Sequence, residues 1–140
     1  MKKKLYIGCA LTIIPEDKRD IFLKIISDLK KALEENFEII EFLGVTTFSL
    51  ANPKEVYNHD IHECAMKADA MLAICDYPSL GLGYEMATAI EKRGIPVLAV
   101  AHTDSKVTNL VIGIQHPQFN FLRYESVEEI INYVQKTLTK

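Results

Sequence analysis

The sequence predicts a doubly wound α/β fold, and three observations favour it. Apolar segments of strand length alternate with segments in which apolar residues recur at helical spacing. Residues 68–75 (ADAMLAIC) are apolar nearly throughout, which is typical of a strand in a parallel sheet that helices cover on both faces. The 140 residues, 49% hydrophobic and 25% charged, suit one ordinary globular domain, residues 1–140.

The first part of the chain predicts two strands around one helix. Residues 4–9 (KLYIGC) combine apolar and β-forming side chains and predict the first strand. Residues 15–36 carry apolar side chains at i, i+3, i+4 and i+7 spacing, which predicts an amphipathic helix. Residues 37–43 (FEIIEFL) predict a second strand that Gly44 ends, and the polar residues 46–53 predict a loop.

The rest of the chain repeats the alternation until five strands are complete. The predicted elements are a helix over 53–67, a strand over 68–75, a helix over 82–92, a strand over 96–101, a short helix over 105–113, a strand over 119–123 and a helix over 127–138. Right-handed crossovers make a flavodoxin-like parallel sheet of order 2-1-3-4-5 the simplest arrangement. Its ligand crevice opens where strands one and three end, so we expect the loops after Cys9 and Cys75 to line the site.

Charge and cysteine content exclude several classes of protein. The 16 basic and 19 acidic residues give a net charge of −3, without the basic excess typical of nucleic-acid binding. The three cysteines form neither a C-x-x-C pair nor an even disulfide framework, so we expect a cytoplasmic protein. Residues 1–14 imitate a signal peptide but lack a small-residue cleavage site, and we expect them to be retained. No segment approaches the ~20 apolar residues of a membrane span.

The loop after the third predicted strand, residues 76–85 (DYPSLGLGYE), contains the strongest candidate site. Gly81 and Gly83 allow a ligand to approach the backbone, but neither a third glycine nor a P-loop lysine follows, which excludes both nucleotide-loop motifs. Glu85 is predicted in or near the first helical turn, where the helix dipole favours its anion. Beside Ser79 in a cleft, this carboxylate suits attack on a sugar carbon while a second carboxyl group protonates the leaving group. The alternative is a helix N-terminal acid without a catalytic role.

Residues 68–74 followed by 78–85 (PSLGLGYE) resemble the nucleoside 2-deoxyribosyltransferase family, and most of all its 2′-deoxynucleoside 5′-monophosphate N-glycosidase branch. The similarity is strongest over residues 56–101. The resemblance implies that Glu85 is the nucleophile at the anomeric carbon of a nucleoside or nucleotide. It also implies that no cofactor or metal is needed, and that neighbouring copies close the site in at least a homodimer.

The resemblance implies roles for further residues. Tyr6 corresponds to an active-site tyrosine, Asp60 to an aspartate that contacts the sugar and assists proton transfer, and Ser79 to a serine at the 5′ end of the substrate. Each has a structural alternative, namely a packed strand aromatic, a helix cap and a turn hydrogen bond. Asn109 lies where relatives bring a polar residue from a neighbouring subunit.

Cys9 and Asp76 follow from the predicted topology, because they end or follow the two strands that flank the crevice. Asp76 is a candidate contact to the base or a turn aspartate, and Cys9 is a candidate lining residue or an inert buried thiol. His59 and His62, with Glu63, have a spacing that suits metal ligands. A solvated helix start is the favoured interpretation, and we expect no metal site.

The loop after the first strand, residues 8–15 (GCALTIIP), departs from the phosphate-handling relatives, which carry glycines and a basic residue there. A dianionic phosphate against apolar side chains would lose several kcal/mol of hydration. Two interpretations stay open at this point. The substrate is an unphosphorylated nucleoside, or Lys18, Arg19 or Lys106 supplies the positive charge.

Three functions remain open from the sequence. The first is cleavage of an N-glycosidic bond through a covalent glycosyl–Glu85 intermediate, with water or a second base as the acceptor, and water is slightly favoured. The second is a non-catalytic module that binds a nucleotide in the same crevice. The third is cleavage of a different ribosyl compound, such as a cytokinin riboside phosphate, although the P-G-G-x-G-T pattern of that class is missing.

Overall fold

The computed structural model describes residues 1–10, 12–41 and 52–139. Its centre is a five-stranded, all-parallel sheet of order β2-β1-β3-β4-β5. The strands are β1 (Lys3–Cys9), β2 (Phe37–Glu41), β3 (Ala70–Ile74), β4 (Val97–His102) and β5 (Phe119–Tyr124). The predicted fold class and strand order are therefore confirmed. The predicted end of the second strand and the loop over residues 46–51 lie outside the described residues, as does Leu11.

Helices cover both faces of the sheet. They are α1 (Glu16–Leu33), α2 (Pro53–Tyr57), α3 (Leu80–Ala87), α4 (Asn109–Ile112) and α5 (Val127–Thr137). Two of them continue directly into π-helical segments, π1 (Asn58–Ala65) after α2 and π2 (Thr88–Arg93) after α3. Segments of π-helix are rare and often occur at functional sites.

The core consists of apolar side chains on both faces of the central strands. Every residue of β3 is buried, and Leu5 and Tyr6 of β1 have no exposed surface. Strand β1 contains residues that imitate a signal peptide in the sequence, and its place in the centre of the sheet explains their apolar character. No helix among the described residues is both long and apolar enough to cross a membrane.

Asp69 fixes the position of β3 beside β1. Its carboxylate accepts a hydrogen bond of 2.8 Å from the Lys4 amide, and its own amide donates to the Lys4 carbonyl at 2.8 Å. In the resulting register Tyr6 lies opposite Met71, and Cys9 lies opposite Ile74. The carboxyl ends of β1 and β3 are therefore neighbours, as a ligand crevice at this edge requires.

Helix α3 begins two residues earlier than the sequence pattern predicts. The hydroxyl of Ser79 accepts a hydrogen bond of 3.1 Å from the Leu82 amide, so Ser79 caps a helix that starts at Leu80. Glu85 consequently lies in the second turn, and its predicted place in or near the first turn is wrong. The short helix predicted over residues 105–113 is limited to Asn109–Ile112, because Thr108 caps it through the Leu110 amide.

Candidate functional site

A buried hydrogen bond between β1 and α3 lies at the centre of the candidate site. The phenol of Tyr6 donates to Oε1 of Glu85 at 2.8 Å, and both residues are buried. The structure therefore brings together two of the predicted catalytic residues. Tyr6 contributes more than packing, because its polar group contacts the proposed nucleophile directly.

Gly8 provides the space that the Glu85 carboxyl group occupies. A Cβ atom at Gly8 would lie 3.1 Å from Oε1 of Glu85 and 3.0 Å from Cδ1 of Leu82. Gly8 was not among the site residues predicted from the sequence. The available signal was a glycine inside an apolar strand, two positions after Tyr6 and hence on the same face of the sheet.

The Glu85 carboxyl group is held in an environment that disfavours its anion. Burial raises its pKa to about 8, and the negative charge of Asp60 adds to the increase, while the hydrogen bond from Tyr6 acts in the opposite direction. The prediction that the helix dipole holds Glu85 as an anion is therefore wrong, because the side chain lies beyond the first turn and is buried. Burial and Glu85 also raise the pKa of Tyr6, so the phenol stays a neutral donor.

Asp60 and Glu85 line the same cleft, which has a volume of about 430 Å³. Asp60 reaches it from π1 and is 7% exposed, whereas Glu85 reaches it from α3 and is 8% exposed. Two further lining residues, Tyr57 and Tyr84, pack edge to face with ring centroids 6.4 Å apart and are about half exposed. Neither aromatic was predicted from the sequence, although Tyr57 lies three positions before Asp60 and Tyr84 directly precedes Glu85.

The predicted 5′-end residues line a larger, adjoining cavity of about 890 Å³. Ser79, Gly81 and Gly83 belong to it, and Leu80 and Gly81 are shared with the smaller cleft. Among the described residues that line this cavity, Lys106 alone has a permanent positive charge. The Ser79 hydroxyl also makes the local hydrogen bond that its structural alternative expected.

Asp76 lies in a different place from the Glu85 cleft. Its carboxylate accepts hydrogen bonds from the Tyr124 hydroxyl and from the His102 amide, the latter at 3.2 Å, and it lines a separate cavity of about 450 Å³. Burial raises the pKa of Asp76 despite these two donors. The contacts tie the end of β3 to β4 and β5, which supports the turn-aspartate interpretation.

The remaining candidate residues have weaker links to the cleft. Cys9 is buried, and burial together with the charges of Glu85 and Asp76 raises its pKa to about 12, so its thiol stays protonated. Asn109 is exposed on α4, where its neighbours Thr108 and Leu110 line the larger cavity. Lys18 lines the cavity of Asp76.

The predicted trio of potential metal ligands does not form one cluster. Glu63 pairs with Lys67 at 2.6 Å, and His62 packs edge to face against Tyr57. His59 instead lies with Asp60 and Cys64, and the potential ligand atoms of these three residues are within 4.8 Å of one another.

The fold of this chain is that of nucleoside deoxyribosyltransferase-like α/β proteins. The solved structure of a CMP N-glycosidase from Clostridium botulinum matches with a TM-score of 0.71 at 18% identity, over 96% of this chain and 99% of that chain. A 2-deoxyribosyltransferase from Leishmania mexicana matches with a TM-score of 0.59 at 16% identity, over 96% of this chain and 97% of that chain. At these identities the likeness establishes the fold.

Curated relatives extend the likeness to the sequence. A Syntrophotalea carbinolica protein named "putative 2′-deoxynucleoside 5′-phosphate N-hydrolase 1" is 36% identical over 87 residues, 61% of this chain and 58% of that protein. A Thermofilum pendens protein of the same name is 35% identical over 88 residues, 61% of this chain and 60% of that protein. The chain thus matches about three fifths of the length of these relatives. No protein-family model matches it. The resemblance indicated by the sequence is confirmed by these relatives and by the solved structures.

Proposed function

We propose that this protein cleaves the N-glycosidic bond of a nucleoside or nucleoside 5′-monophosphate through a covalent intermediate on Glu85. One observation carries the proposal. The buried Glu85 carboxyl group accepts a hydrogen bond from Tyr6 and shares a cleft with a second carboxyl group, that of Asp60. A nucleophile and an acid–base group on one cleft are the minimum that double displacement at an anomeric carbon requires. The names of the curated relatives also support cleavage of the N-glycosidic bond.

The two carboxyl groups carry out the first step once a proton lies on the correct one. At neutral pH, Glu85 is mostly protonated because its pKa is about 8. Transfer of that proton to Asp60, directly or through water, creates the nucleophilic anion and the general acid together. Glu85 then attacks C1′ of the sugar, the C1′–N bond breaks towards the base, and Asp60 supplies the proton to the departing nitrogen. Tyr6 stabilises the Glu85 anion through Oε1 and leaves Oε2 for attack.

The second step releases the sugar from Glu85. Asp60, now ionised, takes a proton from the acceptor, which attacks C1′ and restores the Glu85 carboxylate. Water as the acceptor gives a hydrolase and a second base gives a transferase. We favour hydrolysis, in agreement with the names N-hydrolase and N-glycosidase that relatives carry.

The 5′ end of the substrate is proposed to lie in the larger cavity. Ser79, Gly81 and Gly83 belong to this cavity, which adjoins the cleft at Leu80 and Gly81. Lys106 would supply the positive charge for a 5′-phosphate. Lys106 lines this cavity, and neither Lys18 nor Arg19 is among its described lining residues.

The test is release of free base from a panel of nucleosides and their 5′-monophosphates, followed by chromatography. We expect release by the unmodified protein and a loss of at least about 1000-fold in Glu85→Gln, which keeps the size of the side chain. Glu85→Ala should be equally inactive. Equal release by the unmodified protein and both variants would contradict the assignment of Glu85.

A non-catalytic nucleotide-binding module is the second candidate, and the protonated resting state of Glu85 favours it. In that case nucleotides would raise the melting temperature without any release of base. Release of base that depends on Glu85 would exclude this function.

A homodimer in the cytoplasm remains our expectation for the assembly and location. Leu80 is 98% exposed beside the cleft, and Leu110 is 80% exposed beside the larger cavity, so a second copy has apolar surface to cover next to the site. Light scattering of the purified protein tests the oligomeric state, and a monomer at micromolar concentration would contradict it.

A further inference from the structure

A cluster of potential metal ligands includes Asp60 and differs from the trio of His59, His62 and Glu63 that the sequence suggested. Ligand atoms of His59, Asp60 and Cys64 lie within 4.8 Å of one another. Nε2 of His59 is 2.9 Å from the carbonyl oxygen of Glu41, and the Cys64 thiol donates to the same oxygen at 3.3 Å. A ring nitrogen, a sulfur, a carboxylate and a carbonyl oxygen therefore converge beside the last described residue of β2.

The π-helical geometry of π1 explains why the sequence did not predict this cluster. Residues five positions apart are separated by about 140° around an α-helix, which places His59 and Cys64 on different faces. In a π-helix the hydrogen bonds run between residues five apart, as from the Met66 amide to the Ile61 carbonyl at 2.8 Å. Residues with this separation then lie nearly above one another, and His59 and Cys64 reach the same side.

We propose that His59, Asp60 and Cys64, together with the Glu41 carbonyl, bind a thiophilic divalent cation of the zinc class. Imidazole, thiolate and carboxylate are the side chains that zinc prefers, whereas magnesium and calcium avoid sulfur. Tetrahedral zinc places nitrogen and sulfur ligands about 3.5 Å apart, so modest side-chain rotation would complete the site. The separations of the Glu41 oxygen from Nε2 and from sulfur, 2.9 and 3.3 Å, are already in this range.

The Asp60 carboxylate gives the cluster a negative charge that a divalent cation would offset. Binding of the cation would displace the proton of the Cys64 thiol into solvent.

Occupancy of the cluster would inhibit the proposed reaction, and this part of the inference rests on the proposed function. Asp60 belongs both to the cluster and to the cleft with Glu85. A cation that holds the Asp60 carboxylate prevents it from accepting and donating the proton that base departure needs. The expected effect is a lower kcat that a chelator reverses.

Cobalt(II) and zinc(II) are the probes for binding, added to metal-free protein in the presence of a phosphine reductant. We expect a near-ultraviolet sulfur-to-cobalt charge-transfer band that zinc removes, and an affinity for zinc measured by calorimetry. Cys64→Ser should abolish the band, and His59→Gln should weaken zinc binding by about 10- to 100-fold. The matched controls Cys75→Ala and His62→Gln should keep the affinity of the unmodified protein.

Either of two results would overturn the site, namely no sulfur-to-cobalt band in the unmodified protein or equal zinc affinity in Cys64→Ser. Circular dichroism of every variant verifies that the loss of binding is not a loss of folding. His59→Gln provides an independent check if Cys64→Ser is poorly folded.

The inhibitory role is tested separately by base release with and without zinc. Cys64→Ser should keep its metal-free activity and lose its sensitivity to zinc, while the unmodified protein is inhibited. Zinc binding without inhibition would overturn the regulatory part alone. Zinc binding by a protein that never releases base would support the cation site and contradict the proposed function.

Discussion

The Tyr6 phenol donates a 2.8 Å hydrogen bond to Oε1 of Glu85, although 79 positions separate the two residues in the sequence. This bond joins a central strand to the helix that follows the next strand of the sheet. It is the contribution that lowers the pKa of Glu85, against burial and the charge of Asp60. Burial, the bond from Tyr6 and the charge of Asp60 together determine the pH at which the proposed nucleophile becomes an anion.

Tyr6→Phe removes the hydrogen bond to Glu85, which among the identified causes is the one that favours the Glu85 anion. We expect kcat to fall by about 10- to 100-fold, because a hydrogen bond to a charged group contributes about 1.5 to 3 kcal/mol. The acidic limb of the pH–rate profile should also move to higher pH. The matched control is Tyr133→Phe, which removes a hydroxyl bonded to the Arg123 carbonyl and should change neither quantity. An unchanged limb in Tyr6→Phe would contradict the role of the bond.

Asp60→Asn should move the acidic limb of the pH–rate profile to lower pH, opposite to the effect of Tyr6→Phe. The negative charge of Asp60 raises the pKa of Glu85, so the neutral amide lowers that pKa and shifts the limb to lower pH. The rate should still fall by about 100- to 10,000-fold, because the acid–base group is lost. Asp60→Asn therefore lowers both the rate and the pH of the acidic limb, whereas Tyr6→Phe lowers the rate and raises the pH of that limb. Base release at several pH values measures both quantities, and an upward shift would contradict the assignment.

The pKa of Glu85 also predicts a dependence of stability on pH. The folded protein keeps the proton up to about pH 8, whereas the unfolded chain releases it near the ordinary value of 4.5. Unfolding therefore releases a proton between these values, and the contribution of Glu85 to the free energy of unfolding falls as pH rises through this window. Glu85→Gln cannot lose a proton, so its stability relative to the unmodified protein should increase by about 3 to 5 kcal/mol across the window. Urea denaturation near each end of the window tests this, and parallel curves would contradict it.

Gly8→Ala tests whether the space that Gly8 leaves for the Glu85 carboxyl group is needed for activity. The added methyl group would lie 3.1 Å from Oε1 of Glu85 and 3.0 Å from Leu82, so these atoms must move by a few tenths of an ångström. We expect kcat to fall by about 10- to 100-fold, since small displacements of reacting groups are costly. Stability should fall by about 1 to 3 kcal/mol, as in other overpacked cores. Gly83→Ala is the control for stability alone, because no atom lies within 4 Å of the Cβ position there.

Hydrophobic periodicity was sufficient to predict the architecture. Strand β3 is buried on both faces and reads as an apolar run, and the amphipathic spacing of α1 matches its buried residues Phe22, Leu29 and Leu33. The helix boundaries were harder to predict, because one side-chain hydrogen bond from the Leu82 amide to Ser79 decides where α3 begins. The π-helical segments could not be predicted, because their periodicity differs from the 3.6 residues per turn by which apolar spacing identifies a helix.

The candidate site was predictable as a set of residues but not as an environment. Tyr6, Asp60 and Glu85 were predicted from the sequence. In the structure Tyr6 donates a hydrogen bond to Glu85, and Asp60 lines the same cleft as Glu85. The protonation state of Glu85 was predicted wrongly, because it depends on burial between β1 and α3 rather than on distance from a helix end. Gly8 was missed because its importance lies in a contact with a residue far away in the sequence.

Pairing of β1 with β3 has a consequence for how activity would return after dilution from denaturant. Hydrogen bonds within a helix join residues that are close in the sequence, whereas Tyr6 meets Glu85 only after two distant segments have docked in register. Regain of catalysis should therefore lag behind the recovery of the far-ultraviolet dichroism signal. An enzymatic refolding assay would report the completion of long-range strand assembly in this chain.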